Sequence, residues 1–216
     1  MTGEECLSFL QSRRSVRTFS NKEVPRPVLE RLIAAATSAP SSSNRQPWRF
    51  AVVTGGRKRE LAALVREQAE AMRLVIERGH HAEDFARYSD FFHEPLERAA
   101  AIIVPQYREH PDLLKNLILS GGGDPEQFPT ASAMQAELCS TSAATMLLLA
   151  QATAEGLGAC WMAGPMVARE QICRHLQINS PWRMVGAVAL GYPAAVPESP
   201  GRKSTERVVA WFDSAA

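Results

Sequence analysis

Neither sign of charge prevails in this chain: 24 lysines and arginines meet 23 aspartates and glutamates, for a formal net charge of +1. A near-neutral surface has no global field with which to gather nucleic acid or an anionic membrane. Any anion site must come from a local cluster of basic residues. Cysteine is also scarce. Cys6, Cys139, Cys160 and Cys173 are the four in 216 residues, and no two form a CxxC pair. A chain this long buries a core without covalent staples, so the expectation is reduced thiols in a cytoplasmic protein. Long apolar runs are missing too. The most apolar stretch, residues 143–152, is too short to cross a bilayer. The opening MTGEECLSFL is acidic and lacks the uninterrupted apolar core of a signal peptide.

Several catalytic signatures are absent as well. No GxGxxG turn joins a strand to a helix, which argues against a Rossmann dinucleotide-binding domain, and no GxxxxGK[ST] occurs. No serine sits in a GxSxG elbow and no cysteine has an evident base partner, so a hydrolase triad finds no support. His80 and His81, with Glu83 and Asp84, are ligand-type residues, but nothing is placed to complete a metal set. They read as a solvated loop, and Gly121–Gly122–Gly123 as part of a flexible lid.

What remains reads as one domain over residues 1–216 without internal repeats. Helices are expected at 4–14 and from Pro25–Pro27 onward, where Val28, Leu29, Leu32, Ile33 and Ala36 share a face. Proline and small polar residues at 39–44 stop that helix. A strand at 48–54 and an amphipathic helix at 57–78 follow. Residues 79–98 read as polar and irregular, 101–104 as a short strand, and the proline- and glycine-rich 105–129 as a loop or lid. Residues 130–155 form the longest helix, apolar nearly all round, which demands cover on every side from its own domain or a partner. A strand at 159–162, a helix at 167–176, a strand at 184–190, an extended segment at 193–206 and a last strand at 208–212 complete the order.

Three segments carry chemistry-bearing patterns. Arg13, Arg14 and Arg17 lie at the end of the first helix, and Arg202 and Lys203 near the other end of the chain. Cations at a helix C-terminus offset its dipole, but two separated clusters could also converge on one phosphate, whose oxygens match the guanidinium fork. Pro40-Ser41-Ser42-Ser43-Asn44-Arg45-Gln46-Pro47-Trp48 is a helix stop; it is also a dense set of uncharged donors and acceptors suited to the edge of a heterocycle. Gly158 to Pro165 reads as a strand running into a turn of small residues, where backbone amides are exposed and a flat ring could approach.

Together these segments resemble the nitroreductase family of flavoproteins over nearly the whole chain. Arg13-Arg14-Ser15-Val16-Arg17-Thr18-Phe19 is similar to the family's opening RRSxRxF. Residues 38–50 are similar to its APSxxNxQPWxF, residues 156–162 to its GLGSCWM, and residues 189–193 with Arg202 and Lys203 to its LGYP…RK ending.

The resemblance implies an α+β fold with a central, mostly antiparallel sheet flanked by helices, in an intertwined homodimer whose C-terminal extension, 193–216, wraps the partner. It implies FMN as cofactor, NAD(P)H as electron donor and a small organic acceptor, such as a nitroaromatic or a quinone, served by ping-pong turnover. Neither nucleic acid nor membrane is an expected partner. Arg13, Arg14 and Ser15 would bind the FMN phosphate and ribityl chain. Arg17 would lie at the pyrimidine edge and tune the flavin, while Arg202 and Lys203 close on the phosphate. Pro40, Ser41, Ser42 and Asn44 would come from the other subunit and face the ring, and the backbone of Met162, Ala163 and Gly164 would approach N5. Relatives that dehalogenate, dehydrogenate or consume their own flavin, and flavin-storing proteins, are the alternatives. Two departures stand out. Thr145 and Met146 replace the family's Gln-Asn pair, and Ala163 stands where some members carry Glu, so any side-chain contact to nicotinamide from that position is lost.

Overall fold

A computed structural model of the chain describes residues 1–79, 82–130 and 133–212, with residues 82–89 described as helical backbone only. In chain order the helices are α1 (Gly3–Ser12), α2 (Arg26–Thr37), α3 (Gly55–Ile76), α4 (Ala82–Arg98), α5 (Leu113–Ser120), α6 (Ala136–Ala154) and α7 (Arg169–Leu176). The strands are β1 (Trp48–Val53), β2 (Ala101–Arg108), β3 (Gly158–Met162), β4 (Trp182–Met184) and β5 (Ala187–Gly191).

β2 is the centre of the sheet, and its first six residues are all buried. Such a near-continuous buried run belongs to a strand covered on both faces. One edge pairs antiparallel with β1, from Trp48↔Tyr107 to Val53↔Ile102. The other edge is shared: β5 pairs with Ala101–Ile103 and β4 with Gln106–Arg108. β3 joins the far side of β5, Gly158 opposite Gly191. All these strand pairings are antiparallel, the α+β arrangement expected.

Alternation sorts the core into two layers of helices. Ala101, Ile103, Val188, Leu190 and Ala159 pack with Leu29 and Leu32 of α2 and Leu148 and Ala152 of α6. Ile102, Val104, Ala189, Cys160 and Met162 pack with Leu61 and Val65 of α3, Leu96 of α4 and Ile172 of α7.

Several segments differ from the expectations. Residues 82–98, read as irregular, form α4: Phe92, Leu96 and Ala99 supply a helical apolar stripe that the internal Pro95 obscured. β2 runs past Pro105 to Arg108. The Pro105 carbonyl accepts from Val185 N at 2.9 Å. Its missing N–H therefore faces the gap between β4 and β5, where a donor has no ladder partner to lose. The strand read at 184–190 is broken there, with Gly186 at φ +96° and Met162 O where a Cβ would lie. Residues 113–120, inside the segment read as a loop or lid, are the helix α5, capped by Asp112 and exposed or half-exposed throughout.

The ends of the chain remain uncovered. α1 buries none of its residues, although Thr2 and Glu5 form a capping box at its start. α6 buries one face, including Ala144, Thr145 and Leu148, and exposes Met146 and Leu147. Residues 208–212 form no strand within this chain; Val208, Trp211 and Phe212 are exposed, Phe212 at 95%. Among the described residues, no helix is long and apolar enough to cross a membrane.

Candidate functional site

The first basic cluster is fixed by the sheet rather than by α1 alone. Ser15 bridges Ala159 in parallel fashion, and Val16 N donates to Ala159 O at 3.1 Å, so the arm after α1 lies along the outer edge of β3. Val16 is buried directly over Gly158, where a Cβ would sit 2.7 Å from the valine. The glycine is what lets the arm approach. Arg13 and Arg17 flank this contact. Burial pushes the Cys160 thiol up, and the charges of Arg17 and Arg13 pull against that push, so both guanidinium groups act on the middle of β3. Arg14 turns back to cap α1, donating to Gln11 O at 2.6 Å and Arg13 O at 3.0 Å. Among the described residues no carboxylate pairs with Arg13, Arg14 or Arg17.

The segment after α2 is held in an uncommon backbone shape. Ser43, Asn44 and Gln46 have φ of 53°, 50° and 47°. Left-handed backbone at non-glycine residues costs about 1–3 kcal/mol each and is kept where surrounding contacts over-determine it, often beside ligands. Here Ser41 Oγ accepts from Gln46 N at 2.9 Å, Gln46 Nε2 donates to Asn44 Oδ1 at 3.3 Å, and Arg45 pairs with Glu137 of α6 at 3.1 Å. Pro40, Ser42, Ser43 and Asn44 are exposed, and Ser41 is half-buried. The polar set therefore faces outward from its own chain.

β3 ends at buried Met162; Ala163 is exposed, and Gly164 starts a short 3-10 turn, Gly164–Ala168. The first amides of such a turn have no acceptor inside it. Gly164 also serves the core: a Cβ there would lie 2.5 Å from Phe92 Cδ1 of α4. Beside Ala163 opens a cavity of about 790 Å³, whose lining includes Tyr107, Trp161, Met166, Arg169, Trp182 and Arg183. Of its lining residues, the sequence motifs include only Trp161 and Ala163, and Cys173 stands out only as one of the four cysteines. Trp182 and Arg183 sit on a short strand before a break, and Arg169 on a short helix, so no local motif marks them.

The chain does not bring every expected residue to one place. Arg13, Ser15 and Arg17 lie along the edge of β3, which ends at Met162 and leads into Ala163 and Gly164. Arg202 and Lys203 lie in an exposed segment, and Arg202 donates only to Gly201 O, at 2.7 Å. Among the described residues, no hydrogen bond links 195–212 to the body of the chain; the last one is Ala194 N to Thr18 O, 3.0 Å. His80 and His81, and the side chains of Glu83 and Asp84, lie outside the described residues. No group of three metal-ligating side chains occurs among those described.

A model of the nitroreductase family matches residues 10–192. A putative NADH dehydrogenase/NAD(P)H nitroreductase of Archaeoglobus fulgidus is 28% identical over 193 residues, 88% of this chain and 86% of that protein. An iodotyrosine deiodinase of Haliscomenobacter hydrossis is 31% identical over 114 residues; the match takes in 51% of this chain and spans about half, 50%, of that relative's length. Among solved structures, a BluB-like flavoprotein from Clostridium difficile 630 superimposes with a TM-score of 0.83 at 20% identity, covering 98% of this chain and all of the other. A putative nitroreductase from Desulfovibrio desulfuricans, solved in complex with FMN, gives a TM-score of 0.68 at 20% identity, covering 98% and 99% of the two chains.

Proposed function

The chain belongs to the nitroreductase family, and from that premise we propose an FMN-dependent oxidoreductase, a homodimer that passes electrons from NAD(P)H to a small organic acceptor such as a nitroaromatic or a quinone. The observation that carries the reading is the pair Arg13 and Arg17, free of carboxylate partners among the described residues and tied to the strand that leads into Ala163 and Gly164. Unpaired guanidinium groups beside exposed amides suit a ligand with an anionic tail and a planar, polar-edged ring. When bound, the flavin supplies the hydride chemistry; the protein supplies position and charge.

The roles follow from what each side chain is free to do. Arg13 and Ser15 hold the phosphate, and Arg14, committed to the end of α1, orders the turn that presents them. Arg17 places a cation at the pyrimidine edge. Pro40, Ser41, Ser42 and Asn44, which face away from their own chain, come from the second subunit. The same subunit's extension carries Arg202 and Lys203 to the phosphate and buries Trp211 and Phe212. α1 and the exposed side of α6 are the natural face for that partner, because each leaves apolar side chains bare. The segment 105–129, with α5, covers the acceptor. Donor and acceptor then use one open face in turn, which gives ping-pong kinetics.

The test is a pair of anaerobic half-reactions. NADH or NADPH should bleach the bound flavin's visible absorbance, and a nitroaromatic or quinone should restore it. Absorbance that neither nucleotide bleaches would identify a flavin store instead. Reductive dehalogenation is the second reading, favoured by the 31% identity to an iodotyrosine deiodinase. Recovery of absorbance with halophenols under argon, but not with nitroaromatics or quinones, would select it.

A further inference from the structure

The cavity beside Ala163 is mostly apolar, walled by Trp161, Trp182 and Met166, with polar groups at Tyr107, Glu109, Arg169, Glu170, Ser180 and Arg183. That is the usual make-up of a small-molecule site, where apolar walls bury a ring and sparse polar groups fix its orientation. The walls are themselves fixed. Trp161 Nε1 donates to Val185 O at 2.9 Å, and the Arg49 guanidinium stacks 4.4 Å from the Trp182 ring. Of the two cations, Arg183 is compensated by Glu109 at 3.1 Å. Arg169 has no hydrogen bond or ion pair among the described residues, and neither has the Tyr107 hydroxyl. Burial, reinforced by Glu109, pushes the Tyr107 phenol up, so it stays a donor at neutral pH.

Glu109 and Glu170 also line the cavity, so its two arginines are matched in number by two carboxylates; what sets Arg169 apart is that neither carboxylate forms an ion pair with it. The charges that act on Cys173, another lining residue, are those of Arg169 and Arg183, which oppose the upward push of burial on its thiol. An uncompensated guanidinium and a free phenol donor over an aromatic-walled cavity select one class of ligand: a ring bearing an oxyanion.

We propose that this cavity is the acceptor subsite and selects aromatic acceptors carrying a carboxylate, with Arg169 and Tyr107 receiving the carboxylate and Trp161, Trp182 and Met166 forming the berth of the ring. The proposal rests on the redox reading above, of which it names the substrate class.

The experiment is quenching of tryptophan fluorescence by two matched probes, 4-nitrobenzoate and its neutral analogue 4-nitrobenzyl alcohol, on protein saturated with FMN. Two cavity residues are tryptophans, so binding is read without turnover. The wild type should bind the carboxylate at least tenfold more tightly than the alcohol. Arg169→Gln should bring the ratio to near one and leave affinity for the alcohol unchanged, and Tyr107→Phe should lower the ratio severalfold. Arg169 is exposed and unpaired, so its loss should leave the melting temperature in place. Equal affinity of the wild type for the two probes overturns the proposal, as does an unchanged ratio in Arg169→Gln. It also falls if Arg169→Gln changes only the discrimination between NADPH and NADH, because the cation then reads the donor's phosphate. The redox reading fails separately: a wild type that prefers the carboxylate through Arg169, yet whose flavin no nicotinamide bleaches, keeps the subsite and loses the electron transfer.

Discussion

Gly158→Ala tests whether the position of the basic arm sets cofactor binding. A Cβ at 158 would lie 2.7 Å from Val16 Cβ, 2.7 Å from Cγ1 and 2.9 Å from Cγ2. Ordinary carbon contacts are about 3.5–4.0 Å, so the arm must retreat by roughly 1 Å. Val16 cannot relieve the clash by turning, because a β-branched side chain is stiff about χ1 and its Cβ is itself in the way. The retreat strains the Val16 N to Ala159 O bond and carries Arg13 and Arg17 away from β3. Overpacking of this kind costs about 1–3 kcal/mol. In a chain of this length each kcal/mol shifts the melting temperature by about 2–4 °C, so the expected fall is between about 2 and 12 °C. FMN affinity should fall by about tenfold, the lower end of what one charge-assisted contact contributes. Thermal melts and FMN fluorescence titrations on the same preparations measure both. If stability falls but the titration is unchanged, the arm's position does not govern cofactor binding. If neither moves, the close approach of Val16 is unimportant.

Other outcomes follow from the same account. Arg13→Ala and Arg202→Ala should each raise the FMN dissociation constant about tenfold to a hundredfold, the worth of a charge-assisted contact to phosphate, and unchanged titrations in both would misplace the phosphate. Arg17→Gln should lower the flavin midpoint potential by some tens of millivolts, because a cation at about 4 Å is worth at most about 4 kcal/mol at an effective dielectric of 20, and roughly 30 mV corresponds to 1.4 kcal/mol for two electrons. Coincident potentials in a spectrophotometric titration would move Arg17 away from that edge. Bidentate Arg31 holds Glu155 well below the usual carboxylate range, to about 2, tying α2 to the end of α6. A depressed carboxylate stabilises the fold above its unfolded pKa, and that contribution is lost as pH falls through the folded value. The melting-temperature gap between wild type and Arg31→Gln should thus be full at pH 6 and close on approach to pH 2; a gap independent of pH would refute the linkage.

How far the sequence carried can be judged element by element. β1, expected at 48–54 and found at Trp48–Val53, and β3, expected at 159–162 and found at Gly158–Met162, announce themselves by apolar runs closed by small or turn-forming residues. α6 was legible in its composition but starts at Ala136, six residues later than its pattern suggests. α4 was missed because Pro95 lies inside it and its many charged residues hide one apolar stripe, which only the sheet beneath makes useful. β2 was cut short at Pro105 because the local rule against proline in central strands gave way to a gap supplied by residues 80 positions later. At the candidate site, local patterns found the arm, the serine-rich loop and the end of β3. Arg169, Trp182 and Tyr107 were invisible, since the pairing of β2 with β4 brings Tyr107 and Trp182 together and Arg169 joins them from α7, none of which local spacing reveals. The role of Gly158 was likewise hidden; what it accommodates is Val16, from the far end of the chain.

The measurement that bears most directly on the central claim is the visible spectrum of the purified protein, followed by heat release of whatever it binds. A flavin spectrum is expected, with FMN and no FAD in the supernatant and one FMN for each chain of 23.7 kDa. A colourless protein that takes up no added FMN, in spite of the unpaired Arg13 and Arg17 beside β3, would contradict the account at its root.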